Sequence, residues 1–89
     1  MNLETTVHIW KEGSEYVAHA MPLDVMSSGP TPEAARLALD EAVRAFLLTA
    51  ADSGTLEQVL EDSGYERRGD HWVSPDFVAV ERHELAVAV

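Results

Sequence analysis

The sequence predicts an α+β fold in which one long helix covers a small sheet, with a short second helix and C-terminal strands after it. Three observations predict this. Alternating, β-branched and aromatic segments mark strands before residue 28 and after residue 65. Between them, Ser27 to Gly54 holds the longest helical pattern, with a start and a stop on either side. The chain has 89 residues, 46% of them hydrophobic, and no linker, repeat or low-complexity tract, so 1–89 reads as a single domain.

The elements follow in order. Thr5 to Lys11 alternates, with Val7 and Ile9 on one face and Thr6, His8 and Trp10 on the other. Glu12-Gly13-Ser14 makes a short turn. Glu15 to Met21 is a second strand, with Val17, His19 and Met21 opposed to Tyr16, Ala18 and Ala20. A hairpin is the simplest arrangement of two such close segments. Pro22 interrupts it, because proline cannot donate to the ladder. Asp24 to Ser28 is a short third strand or edge segment, stopped by Gly29-Pro30.

Thr31 is then an N-cap, with Pro32 at the first helical position and Glu33 in the first turn. The helix is expected from Pro32 to about Ala51. Ala35, Leu39, Ala42, Val43, Phe46, Leu47 and Ala50 form its apolar stripe. Asp40 and Arg44 are an i, i+4 pair of favourable order. Leu37 and Leu48 lie off the stripe. Cover by the C-terminal segment is the expected fate of such a second stripe, and a subunit contact is the alternative.

Gly54 is suited to a C-terminal cap. Thr55 and Gln58 have capping-box spacing and open a short helix with Leu56, Val59 and Leu60 inward, ended by Gly64. Tyr65 to Arg68 and His71 to Val73 flank Gly69-Asp70, a hairpin dipeptide. Phe77 to Val89 reads as a long strand with apolar residues on both faces. Such a strand needs pairing, either in this sheet or with a second subunit.

Composition limits the function. There is no cysteine, so thiol chemistry, disulfides and cysteine-based zinc sites are excluded. No run approaches the ~20 apolar residues of a membrane span. Met-Asn-Leu-Glu-Thr-Thr lacks the basic and apolar regions of a signal peptide, so a cytoplasmic location is expected. Six basic residues stand against sixteen acidic ones, for a net charge of −10. Such a surface repels phosphate backbones and anionic lipid and steers in a basic partner.

Catalytic chemistry finds little footing. Four histidines occur at 8, 19, 71 and 83, without HExxH or another i, i+4 pair. His8 and His19 face each other across the predicted hairpin, and two histidines with an added Asp are a conceivable metal set. Strand histidines are more often solvated or hydrogen-bonded, and no metal is expected. There is no glycine-rich phosphate loop. Ser27 and Ser28 lack the Gly-x-Ser-x-Gly elbow, and no nucleophile has a positioned base. No catalytic residue and no cofactor are assigned, and an enzyme is the weaker class. Trp10, on a face with Thr6 and His8, is the better of the two tryptophans for an interface anchor.

Ser28-Gly29-Pro30-Thr31-Pro32-Glu33-Ala34-Ala35, followed by Asp40-Glu41-Ala42-Val43, resembles the HicB family of antitoxins. Tyr16-Val17-Ala18 and Pro22-Leu23 fall in the family's order and spacing. The family's Pro-Asp-Leu-Pro-Gly bend is reduced here to Pro22-Leu23-Asp24-Val25, and its second glutamate after the threonine is Ala34. The resemblance spans roughly residues 3 to 54. It implies a partial ribonuclease-H-like βββαβ fold without that fold's active site. It also implies an antitoxin of a type II toxin–antitoxin system that occludes HicA, a small basic toxin that cleaves messenger RNA. Many members carry a C-terminal DNA-binding domain, for which this chain has no basic recognition helix, so direct nucleic-acid binding is not expected. The partner-facing residues expected are Trp10, Glu12, Glu15, Asp24, Glu33 and Glu41. A homodimer or higher homo-oligomer through the C-terminal strand is also expected. The alternative function is an orphan HicB-like structural or regulatory homo-oligomer without a toxin, with a metal-dependent hydrolase behind it.

Overall fold

The structure is a computed structural model that describes residues 1–89. It is an α+β fold with six strands in two sheets and two helices. The order is β1 (Asn2–Leu3), β2 (Thr6–Glu12), β3 (Glu15–Met21), β4 (Val25–Gly29), α1 (Pro32–Asp52), α2 (Leu56–Asp62), β5 (Glu66–Arg68) and β6 (His71–Val73). One sheet is the antiparallel meander β2-β3-β4. The other has the order β1-β6-β5, with β1 parallel to β6.

The expected hairpin forms in the register its turn dictates, with Glu12 opposite Glu15 and Thr6 opposite Met21. Gly13 and Gly69 each hold the first turn position with positive φ, at 60° and 66°. That is the geometry of a two-residue turn whose twist matches the flanking strands. Asp24, expected inside the third strand, instead sits in the preceding turn at φ 62°, its N–H bonded to the Ala20 carbonyl. The strand therefore begins at Val25.

Alternation places Ala18 and Ala20 of β3 on the face that meets α1. Their small side chains bring the sheet close enough for Ala35 and Leu39 to be buried against it. Gly29 serves the same end, since a Cβ there would lie 2.8 Å from the Ala35 nitrogen. Helix α1 starts as expected: the Thr31 hydroxyl oxygen accepts from Ala34 N–H at 3.0 Å. A second cluster joins Leu23, Leu60, Tyr65 and Trp72 beneath α2 and the β5–β6 hairpin. Val25 and Val43 pack against both clusters and join them into one core.

Four expectations are corrected. Thr55 and Gln58 do not form a capping box. The Thr55 N–H and hydroxyl both turn back to the Ala50 carbonyl closing α1, and Gln58 bonds Asp62 instead. Asp40 and Arg44 make no ion pair. Phe77 to Val89 forms no strand and pairs with neither sheet of its own chain. The C-terminal segment consequently does not cover the second stripe of α1, where Leu37 is 60% and Leu48 67% exposed.

Candidate partner-binding surface

Only one face of the β2-β3-β4 sheet is covered by α1. Alternation sends Thr6, His8, Trp10, Val17, His19, Met21 and Met26 to the other face. The register sets His8 opposite His19, and His19 opposite Met26 on β4. The His8 and His19 rings are 6.4 Å apart, and Trp10 meets His19 edge-on at 6.1 Å. The left-handed turn aims Asp24 back along β3, so that its carboxylate oxygen lies 2.5 Å from His19 Nε2. Trp10, 37% exposed, donates its indole N–H to Glu12 at 3.0 Å.

The expected partner-facing residues divide into separate groups. Trp10, Glu12 and Glu15 come together at the hairpin end, with the two glutamates directly opposite one another. Like charges in that position repel, and an incoming cation relieves the repulsion. Asp24 lies at the far end of β3, joined to the group through His19 and Trp10. Glu33 and Glu41 are exposed on α1, whose buried side faces the opposite surface of the sheet. They share no face with Trp10. Glu12, Glu15, Glu33 and Glu41 all lack a basic partner within the chain.

Other chemistry is sparse. No group of three or more His, Asp or Glu side chains is placed to hold a metal ion. His8 Nε2 is buried and has no hydrogen-bond partner. Tyr65 is buried under α2, where its hydroxyl donates to the Glu4 carbonyl at 2.5 Å. Burial, with a smaller contribution from the Glu4 carboxylate, pushes its phenol up to about 12. Trp72 is core, at 5% exposure. No helix is long and apolar enough to cross a membrane.

One feature had no sequence signal. A cleft of about 320 Å³ separates α1 from the edge strand β2 and the N-terminus, with Leu3, Val7, Leu39, Val43 and Leu47 in its wall. A second cleft of similar size adjoins it around Leu47, Leu48, Ala51 and Leu56, sharing Met1, Arg44 and Leu47. It depends on where β1 lies, and a two-residue strand leaves no pattern in the sequence. Comparison with known protein families, curated proteins and solved structures finds no match to the chain.

Proposed function

We propose that this protein is a HicB-like antitoxin that binds and occludes a small basic, mRNA-cleaving toxin in the cytoplasm, acting by contact rather than catalysis. The observation that carries the reading is the hairpin end. There an exposed tryptophan stands beside two opposed, unpaired glutamates on the sheet face that α1 does not cover. A partly exposed aromatic ringed by carboxylates suits a partner presenting Lys and Arg, because the ring supplies contact area and cation–π attraction while the carboxylates steer the approach. The net charge of −10 extends that steering over the whole molecule.

The element order supports the ribonuclease-H-like part of the reading. Three antiparallel strands lead into α1, and a later strand, β6, returns parallel to β1. The residues that carry the resemblance also have matched structural roles. Thr31 caps α1, and Gly29 admits its first turn.

The test is an RNA-cleavage assay with a purified HicA-type toxin. Stoichiometric addition of this protein is expected to stop cleavage, and a Trp10→Ala, Glu12→Lys, Glu15→Lys variant to restore at least about tenfold of the rate, the loss typical of an interface anchor. Undiminished cleavage with the unaltered protein in excess would rule the proposal out.

A further inference from the structure

We propose that the groove between α1 and β2 receives the C-terminal segment of a second copy of this chain, so that two copies exchange arms. Two surfaces of the same chain are left uncovered, and they are complementary in kind. The first is the groove. β2 is an edge strand bonded only to β3, so half of its backbone donors and acceptors face outward. Its inner-face residue Val7 is 38% exposed, beside an apolar floor made by Val43, Leu47, Leu48 and Leu56.

The second surface is the arm. After β6 the chain is held at Ser74, whose N–H and hydroxyl both donate to the Glu4 carboxylate, at 3.1 and 3.5 Å. The arm has no secondary structure; its first part, Ser74 to Val80, shares a cleft with Thr6, and beyond it the chain is exposed, with Leu85 82% exposed. The radius of gyration is 15.4 Å, against about 12 Å for a compact chain of this length. The arm thus projects outward and does not lie on its own groove.

The order of residues in the arm fits the groove. Leu85, Ala86, Val87, Ala88 and Val89 alternate large and small. As a strand added to β2, they would point Leu85, Val87 and Val89 into the apolar cleft and the alanines to the other face, which is recognition by strand addition. A reciprocal exchange about a two-fold axis covers both arms and both grooves in one closed dimer. Trp10 lies outside both clefts, so the dimer is tested separately from toxin binding.

Light scattering on the full chain is expected to give twice the chain mass. The chain has no cysteine, so Leu48→Cys and Val87→Cys each introduce a single thiol at an exposed position. A mixture of the two variants, treated with a short bis-maleimide, is expected to give a covalent dimer containing one of each, at least tenfold above either variant alone. Three results would overturn the proposal. One is a monomer mass with no cross-link in the mixture. Another is a cross-link only within the chain of the L48C/V87C double variant, which would put the arm in its own groove. The third is V87C alone cross-linking as well as the mixture, which would mean that arms pair with arms.

Discussion

At Gly29 the sheet meets the start of the long helix with no room for a side chain. A Cβ at this position would meet the Ala35 nitrogen at 2.8 Å and the Ala34 carbonyl carbon at 2.9 Å. Both are backbone atoms at the start of a helix, so neither yields by a side-chain rotation. Gly29→Ala is therefore expected to cost about 1–3 kcal/mol, the range for overpacking a filled site, read by urea denaturation. A change under about 0.5 kcal/mol would mean that the helix start is loose. Tyr65 gives a second test at this scale. Its pKa is raised from 10.0 to about 12, so the folded state holds the neutral phenol more firmly than the unfolded chain does. The stability this contributes is complete below pH 10 and is lost as pH rises from 10 towards 12. Tyr65→Phe cannot ionise and is expected to lose less stability across that window than the unaltered protein. Parallel pH profiles would contradict the burial of this hydroxyl against Glu4.

The two helix starts form a controlled comparison between elements. Both carry a threonine at the cap position, yet only the Thr31 side chain accepts a bond from the helix that follows it. Thr31→Ala is expected to cost about 1 kcal/mol, the usual loss of an N-cap. Thr55→Ala, which removes a 3.3 Å bond to Ala50, should cost less than half as much, as measured by thermal melting. Equal losses would contradict the assigned caps. The same pair shows what could be read in the sequence. Local grammar located α1, because Thr31, Pro32 and the Leu39 stripe act within one segment. It misplaced the Thr55 cap, because α2 begins so soon after α1 that Thr55 is spent on closing the first helix. The hairpin was legible for the same local reason: Gly13 and the alternation around Ala18 fix its turn and its register. Phe77 to Val89 has strand propensity, but propensity names no pairing partner, and the segment pairs with no strand of its own chain. Of the surface residues expected to act together, Trp10, Glu12 and Glu15 follow from that hairpin register. Glu33 and Glu41 lie on the helix side of the sheet, away from Trp10, a separation that sequence proximity does not reveal.

At the scale of the molecule, the two hydrophobic clusters share Val25 and Val43. Leu39 belongs to one cluster and Leu60 to the other, and both side chains are fully buried. Leu39→Ala and Leu60→Ala are each expected to cost about 2–5 kcal/mol and to lower a single transition seen alike by near- and far-UV circular dichroism. Two separated transitions in either variant would show that the β1-β6-β5 sheet unfolds independently of the β2-β3-β4 sheet. The same architecture leaves the hairpin end of the larger sheet exposed, with Trp10, Glu12 and Glu15 on it, in a molecule of net charge −10. Binding there should be driven by charge and anchored by one ring. The most direct measurement is a calorimetric titration of a basic HicA-type toxin into this protein at about 0.05 M and about 0.5 M salt, conditions of weak and strong screening. The predicted result is a complex at low salt whose affinity falls at least about tenfold at high salt, and which the Glu12→Lys, Glu15→Lys variant weakens most at low salt. No complex at low salt, or one indifferent to both salt and the variant, would contradict the account.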